Sequence, residues 1–183
     1  MYYMKILFVG NSHTFNYEVP GLILNIAKKE GIDCFAAMNA HGGWTLSQHT
    51  REPDVPFNIK NGGYDYVVLQ EHAHPFDYDG KMMEAIPLLK QWADEGGAKT
   101  VIFVPWAQKH ERFKQPEMTA ACYEAARIYD CLVAPIGELW WEYQDAHPEV
   151  EMYSPDRGHA SLIGAEFAAK VIWDTIMEDY KNK

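Results

Sequence analysis

Short apolar runs rich in β-branched and aromatic residues recur along the chain, and each ends at glycine, proline or a polar residue. These runs predict strands at residues 5–9, 32–38, 64–69, 100–104 and 131–134. Between and after them, apolar residues recur at helical spacing in residues 20–29, 82–95, 116–129 and 160–180. Strands that alternate with helices of this length are joined by crossover connections, which produce parallel pairing. The pattern therefore predicts an α/β fold, a three-layer α/β/α sandwich around a five-stranded parallel sheet.

The length of 183 residues fits a single domain, which we expect to span residues 1–183. No internal repeat and no linker rich in serine and glycine interrupts it. The loosest segment is residues 49–63, where prolines and asparagines predict a loop at the wall of a pocket.

The charge balance narrows the classes of partner. Acidic residues outnumber basic ones by 26 to 16, which gives a formal net charge of -10, and no run of lysine and arginine provides a phosphate-binding face. We therefore expect neither nucleic acid nor an anionic membrane as a partner, and the oligomeric state stays open. Because no basic leader precedes the short apolar run at residues 6–9, we predict no signal peptide or membrane-spanning helix and expect a cytoplasmic protein.

Three cysteines, Cys34, Cys122 and Cys131, form no C-x-x-C pair. Their odd number favours reduced thiols in packing roles over a disulfide framework.

Polar or small residues follow four of the predicted strands, at the edge where open parallel sheets bind ligands. They are Asn11 and Ser12 after the first strand, His41, Gly42 and Gly43 after the second, Gln70, Glu71 and His72 after the third, and Trp106 after the fourth. This clustering predicts a functional site at the carboxyl ends of the strands.

A serine, a histidine and an aspartate in this chain have the types and spacing of a catalytic triad. Ser12 lies at a strand-to-helix turn, and Asp156 precedes His159 by three residues in a turn eased by Gly158. A serine hydroxyl needs a base, and that base needs a partner that holds its tautomer. We predict Ser12 as nucleophile, His159 as general base and acid, and Asp156 as the group that orients it.

Attack on an acyl carbon creates an oxyanion, which needs preorganised hydrogen-bond donors. We expect these donors to be the N–H of Ser12, the N–H of Gly42 or Gly43, and the side-chain amide of Gln70.

These residues resemble the motifs of the SGNH hydrolases, also called GDSL-type esterases and lipases. Gly10, Asn11 and Ser12 match the first block of that family with Asn in the usual Asp position, a glycine at 42 or 43 stands where the second block has one, and residues 156–159 match the last block. The resemblance spans nearly the whole chain. It implies a flavodoxin-like sheet and ester hydrolysis without a metal or other cofactor.

The third block departs from the family pattern Gly-x-Asn-Asp, because residues 69–72 read Leu-Gln-Glu-His. The asparagine of the family donates to the oxyanion, so Gln70 is the expected replacement, with His72 as its rival.

Other polar and aromatic residues have weaker interpretations. Asn11, His72, Trp44 and Trp106 are candidates for contact with substrate, and the tryptophans at 44, 106, 140 and 141 could form a stacking platform for a sugar. His72 and His74 lie two apart and could bind zinc together with His41 or His110, but no metal-binding motif accompanies them and we expect no metal. We expect His13 to lie at the surface or the rim of a pocket, and Glu71 to be a solvated acid.

The leading hypothesis is a serine esterase that hydrolyses small acyl esters, with an O-acetyl group on a carbohydrate as one candidate. The alternative is a weakly active or inactive module of the same fold that binds a carbohydrate or an acyl ligand. A flavodoxin-like binder of nucleotide or phosphate is a third hypothesis, although the chain has no P-loop and no G-x-G-x-x-G motif.

Overall fold

The fold is built on one parallel sheet whose strands and helices alternate along the chain. The computed structural model describes residues 3–182. Its strands run in the order β2-β1-β3-β4-β5, and every neighbouring pair is parallel. They are β1 (Tyr3–Gly10), β2 (Asp33–Ala40), β3 (Tyr66–Gln70), β4 (Lys99–Phe103) and β5 (Leu132–Ala134). The predicted five-stranded parallel sheet is confirmed, in the flavodoxin-like strand order.

Helices connect and cover these strands. They are α1 (Ser12–Phe15), α2 (Val19–Lys29), α3 (Leu46–His49), α4 (Asp54–Asn61), α5 (Met82–Glu95), α6 (Gln115–Tyr129), α7 (Ile136–Ala146) and α8 (Leu162–Lys181), with short 3-10 turns at Asn16–Glu18 and Arg112–Lys114. The four predicted helices correspond to α2, α5, α6 and α8, with ends that differ by at most two residues.

Alternate residues of each central strand point to opposite faces of the sheet and enter two separate cores. On β1, Ile6 and Phe8 join the core formed with α2, α7 and α8. Leu7 and Val9 join the other core, which packs against α4, α5 and most of the buried face of α6. The sheet is therefore buried on both faces, as expected for parallel strands with crossover helices.

Besides the four-residue helices α1 and α3, two longer helices lie where the sequence pattern predicted none. The predicted loop at residues 49–63 contains α4, in which only Val55 and Ile59, one helical turn apart, are buried. In the sequence, a single pair of apolar residues between prolines does not distinguish a helix from a loop. The second missed helix is α7, which begins directly after Pro135 and buries Trp140 and Trp141 together, so its apolar residues do not show a clean helical period.

Two further predictions concern the cysteines, expected to be reduced, and membrane-spanning helices, expected to be absent. All three cysteines are free, with Cys122 buried and Cys34 and Cys131 half-buried. Burial raises the pKa of Cys34 and of Cys131 to about 11, so both stay as thiols near neutral pH. Within residues 3–182, no helix is both long enough and apolar enough to cross a membrane.

Two helical glycines offer a matched test of the packing. A methyl group at Gly164, in α8, would clash with the carbonyl oxygen of Met152 and the ring of Trp140, whereas one at Gly21, in α2, would meet Glu18 at an ordinary 3.5 Å. We expect Gly164→Ala to lower the free energy of unfolding by about 1–3 kcal/mol through overpacking. Gly21→Ala should leave it unchanged or raise it by up to about 1 kcal/mol, because alanine is the better helix former.

Urea unfolding followed by circular dichroism measures both changes. Equal effects of the two substitutions would show that α8 does not approach residue 152 as closely as described.

Candidate active site

The nucleophile turn begins where β1 ends. Asn11 caps α1, because its side-chain oxygen accepts the N–H of His13 at 3.1 Å while its carbonyl accepts the N–H groups of Thr14 and Phe15. The strand before it is buried and the helix after it starts at once, so Ser12 is held on a short turn at the carboxyl edge of the sheet. Its side chain is half-buried there.

A second tight turn, formed by residues 154–159, carries the histidine. One carboxylate oxygen of Asp156 accepts the backbone N–H groups of Gly158 and His159, each at 2.9 Å. The other oxygen accepts the Nδ1–H of the His159 ring at 2.6 Å. Arg157 takes a left-handed conformation with φ of 62° to close the turn. The carboxylate therefore fixes both the backbone and the ring of the same residue.

The two turns meet across the site. Ser12 Oγ lies 2.8 Å from His159 Nε2. Because the carboxylate of Asp156 can only accept, Nδ1 carries the ring proton, and Nε2 is left to accept the serine hydroxyl. The structure thus brings the three predicted catalytic residues into one hydrogen-bonded relay.

The charge of Asp156 is held by its hydrogen bonds. Burial works to raise the pKa of this carboxyl, but the bonds from the His159 ring and from two backbone N–H groups outweigh it and lower the pKa to about 2. The carboxylate is therefore ionised near neutral pH, and it can compensate a positive charge on the ring.

At this edge of the sheet, the backbone N–H groups of Ser12, Gly42 and Gly43 have no acceptor among residues 3–182. The two glycines form the centre of a turn closed by the bond from Trp44 N–H to the His41 carbonyl, with Gly43 at φ of 73°. A methyl at Gly42 would lie 3.8 Å from the Phe15 ring, so this turn comes close to α1. These donors are available to a developing oxyanion.

Gln70, the predicted third donor, has a different role. Its side chain is 1% exposed, and its oxygen accepts the N–H of Asn11 at 2.9 Å and the hydroxyl of Thr14 at 3.0 Å, while its nitrogen donates to the carbonyl of Glu71. It lies underneath the nucleophile turn and ties it to β3. The contacts therefore contradict its assignment to the oxyanion hole, since a buried amide satisfied by its own chain is not presented to substrate.

Its rival His72 does not fill the position either. Its Nδ1–H donates to the carbonyl of Pro75 at 2.8 Å, so Nε2 of the neutral ring is an acceptor. The ring packs edge-on against Tyr78. His72 is half-buried and retains exposed surface for a substrate contact.

Two of the predicted substrate contacts are structural. The side chain of Asn11 is 1% exposed, and its amide nitrogen donates to the carbonyl of Trp44 at 2.9 Å while its oxygen caps α1. Trp106 is fully buried and packs parallel to Trp140 with ring centroids 4.3 Å apart. Its Nε1–H donates to the carbonyl of Gly158 at 2.8 Å. Both predictions were wrong because these side chains support the two catalytic turns from within the protein.

The other predicted platform residues divide between core and surface. Trp140 and Trp141 belong to the core around α7. Trp44 is half-buried and stacks on His41, with ring centroids 4.1 Å apart. Among the four tryptophans, Trp44 is therefore the one that remains a candidate wall for substrate.

Two further histidines lie near the ring of His159, with His13 beside it and His74 beside His13. His13 is only 6% exposed, so of its two expected positions, the surface and the rim of a pocket, the structure excludes the surface. Its ring centroid lies 4.8 Å from that of His74 and 4.9 Å from that of His159. Burial, followed by the neighbouring histidines, lowers the pKa of His13 well below its usual value, and burial lowers that of His74 to about 4. Both rings are neutral near neutral pH.

Glu71 is also unlike its expectation. It is 2% exposed rather than solvated, and its two oxygens accept the N–H groups of Leu46 and His72 at 3.2 and 2.5 Å. Burial raises the pKa of this carboxyl to about 8. Glu71 connects the segment after β2 to the end of β3. The one feature of the sequence that could have indicated its burial is its place directly after a buried strand.

The histidines do not gather into a metal site in the part of the chain that is described. Within residues 3–182, no group of three or more His, Cys, Asp or Glu side chains is arranged to hold an ion. Of the two ring nitrogens of His74, Nε2 donates to the Trp106 carbonyl at 2.9 Å.

This chain resembles known proteins in its structure rather than in its sequence. The sequence matches no family model and no curated protein, whereas solved structures match it over nearly its whole length. An acetyl xylan esterase, AlAXEase, superposes with a TM-score of 0.75 at 16% identity, over 94% of this chain and 100% of that one. TesA gives a TM-score of 0.73 at 17% identity, over 94% and 98%. The chain has the SGNH hydrolase fold.

A third match fits the same assignment. The psychrotrophic esterase EstA from Pseudoalteromonas sp. superposes with a TM-score of 0.72 at 14% identity, over 98% of this chain and 99% of that one. The expected SGNH fold is thus confirmed at the level of architecture. At such identities the likeness concerns the fold, and the chemistry of this chain has to be argued from its own residues.

Trp106 and Trp140 allow a test of how the histidine turn is held. Trp106→Phe removes the donor to the Gly158 carbonyl, while Trp140→Phe removes a similar volume from a ring whose buried N–H has no hydrogen-bond partner among residues 3–182. Leaving a buried carbonyl unpaired costs about 1–3 kcal/mol in addition to the lost packing. We expect Trp106→Phe to loosen the turn and weaken the downfield NMR signal of the His159 Nδ1 proton.

Trp140→Phe is the control, and it should preserve that signal. If both variants or neither of them changed it, Trp106 would not be what positions the turn.

The buried histidines predict how stability depends on pH. Burial holds the pKa of His49 and of His74 at about 4 in the folded chain, below the usual 6.5. Between these values the unfolded chain binds more protons, so the free energy of unfolding should decrease as pH falls from 6.5 toward 4, by up to about 1.4 kcal/mol per pH unit for each such group.

His49→Gln provides the measurement. His49 is fully buried and donates from Nε2 to the Gly10 carbonyl at 2.7 Å, and glutamine can keep a donor there without titrating. We expect urea unfolding between pH 7 and pH 4.5 to show a shallower decline for this variant. Parallel curves for the two proteins would assign the acid sensitivity to other groups.

Proposed function

We propose that this chain is a metal-independent serine esterase that hydrolyses small acyl esters through Ser12, His159 and Asp156. The single observation that carries the proposal is the relay from serine through imidazole to carboxylate, with distances of 2.8 and 2.6 Å. A chain of two such bonds, with an ionised carboxylate at its end, is what nucleophilic acyl transfer requires.

Acylation begins with proton transfer to the ring. As Ser12 Oγ attacks the acyl carbon, its proton moves to His159 Nε2, and Asp156 stabilises the imidazolium. The carbonyl oxygen becomes negative and accepts hydrogen bonds from the N–H of Ser12 and from the turn that contains Gly42 and Gly43. Each such donor contributes about 2.7–4 kcal/mol to transition-state stabilisation.

Collapse of the tetrahedral intermediate breaks the ester bond. The imidazolium of His159 gives its proton to the leaving alcohol, and the acyl group remains on Ser12. Water then enters, His159 removes its proton, and attack on the acyl-enzyme releases the acid and restores the serine hydroxyl. The same ring acts as base, acid and base again, which requires that its position stays fixed throughout.

The structural neighbours support a class of ester for this proposal. One solved structure of this fold is described as an acetyl xylan esterase, and another, at 13% identity, as a family 3 carbohydrate esterase of Clostridium thermocellum. These names support ester hydrolysis as the chemistry and an O-acetyl group on a carbohydrate as a substrate for this chain.

Ser12→Ala tests the proposal with p-nitrophenyl acetate and butyrate in the presence of a chelator. We expect turnover by the natural chain to resist the chelator and the variant to lose at least about 10³-fold in kcat, since in this mechanism Ser12 carries the acyl intermediate. Circular dichroism checks that the variant is folded. Equal rates for the two proteins would remove Ser12 from the mechanism.

A second candidate is a weakly active or inactive binding module of the same fold. The specific observation in its favour is that Gln70 is bonded to Asn11 and Thr14, so the donor set has two main-chain segments and lacks the expected side-chain amide. A fluorophosphonate probe separates the two candidates. Covalent labelling of Ser12, detected by mass spectrometry and lost in His159→Gln, supports the esterase, whereas an unlabelled serine with saturable sugar binding supports the module.

A further inference from the structure

A pocket of about 200 Å³ lies beside the triad, between the segment after β3 and the start of α6. None of the residues that line it is a member of the triad. Its apolar wall includes Pro75, Phe76 and Met118, and its polar wall includes His74, Gln108 and Glu117. The volume is below the range of about 300–1,000 Å³ that holds drug-sized ligands, so it fits a group of about one ring.

The pocket borders the turn that carries the catalytic histidine. A methyl group placed on Gly158 would lie 3.2 Å from Nδ1 of His74 and 3.3 Å from the side-chain nitrogen of Gln108. Two residues of the pocket wall therefore contact the residue that precedes His159. A ligand in this pocket would lie on the histidine side of the site, whereas the free N–H groups of Gly42 and Gly43 lie across the sheet, after β2.

Some polar groups of this pocket have no partner within the protein. The Nε2–H of His74 donates to the Trp106 carbonyl, which leaves Nδ1 as an acceptor. Within residues 3–182, neither that nitrogen nor the side chains of Gln108 and Glu117 have a hydrogen-bond partner. His74 and Gln108 are half-buried, whereas Glu117 is exposed at the rim. Half-buried polar groups without partners favour a ligand that brings hydroxyl groups.

The charges at the rim favour a neutral ligand. Glu111 and Lys114 pair with each other at 2.6 Å, so the carboxylate of Glu117 is the remaining charge among the lining residues. An anionic ligand would be repelled, and a neutral polyol would not. The apolar wall with Phe76 and Pro75 offers a surface for the C–H face of a sugar ring.

We propose that this pocket binds a neutral pyranose ring on the alcohol side of the substrate, so that the ester cleaved is an acyl group on a carbohydrate. This inference rests on the proposed esterase function for its catalytic meaning. His159 protonates the leaving alcohol, and the pocket adjoins the turn of that residue. The acyl carbonyl lies toward Ser12 and the glycine turn. The pocket's acceptors match sugar hydroxyls and have no counterpart on an alkyl chain.

Direct binding tests the pocket without requiring turnover. Xylobiose is titrated into the Ser12→Ala protein and followed by chemical-shift changes, and we expect saturable binding. Gln108→Ala in that background should weaken it about fivefold, the effect of one lost neutral hydrogen bond, and Glu117→Ala should weaken it by more. Gln91→Ala is the matched control, because Gln91 is exposed on α5 and bonds to Glu95, and it should not change binding. Absence of binding, or equal binding by all variants, would overturn the inference.

Kinetics with the active protein distinguish a sugar pocket from an acyl pocket. We expect Gln108→Ala to raise the KM for acetylated xylobiose about fivefold, with a smaller change for p-nitrophenyl acetate. The ratio of kcat/KM between p-nitrophenyl acetate and octanoate should stay the same. A change in that chain-length ratio, without an effect on the acetylated sugar, would assign the pocket to the acyl chain and overturn the proposal. If the proposed function failed, xylobiose binding would still be measurable.

Discussion

The hydrogen bond between Ser12 Oγ and His159 Nε2 joins residues 147 positions apart, and the rest of the site depends on it. It can form only if the end of the first strand and the turn before the last helix reach the same edge of the sheet. Parallel strands with crossover helices meet this condition, since every strand ends at that edge. The sheet order places β1 between β2 and β3, so the nucleophile turn lies beside the segments that follow both neighbours.

A bond of 2.8 Å between Ser12 and His159 requires that the turns carrying these residues keep a fixed position. Buried polar contacts behind each turn restrict its movement. Gln70 holds the turn that carries Ser12 through Asn11 and Thr14, and His49 donates from Nε2 to the carbonyl of Gly10. Trp106 holds the other turn through the Gly158 carbonyl. A satisfied bond of this kind contributes only about 0.5–1.5 kcal/mol net, but an unmade one costs about 1–3 kcal/mol. That asymmetry, more than the attraction itself, restricts the turns to one arrangement.

The same contacts explain which parts of the site could be predicted from sequence. The contact of Ser12, His159 and Asp156 could be predicted because each half has a local sequence pattern, a serine at a strand end and an Asp-x-x-His turn. The fold class could be predicted from the alternation of strand and helix patterns. The side-chain contacts of Gln70, Trp106 and Asn11 could not be predicted from the sequence. A polar residue after a strand can face a ligand or the neighbouring turn, and the sequence has no signal that separates these cases. His13 shows the limit most clearly, because adjacency to the nucleophile does not reveal that its ring turns inward.

The two extra histidines have an electrostatic consequence for the proposed chemistry. During acyl transfer His159 becomes a cation, and a second cation within 5 Å would oppose that step strongly in a partly buried site. The ring of His13 lies 4.9 Å from that of His159, and the ring of His74 lies 4.8 Å from that of His13, but burial lowers the pKa of both and keeps them neutral near neutral pH. The carboxylate of Asp156 is then the formal charge bonded to the ring. In acid, protonation of His74 would add a positive charge beside the turn that carries His159, so acidification would act against the site through this neighbouring ring.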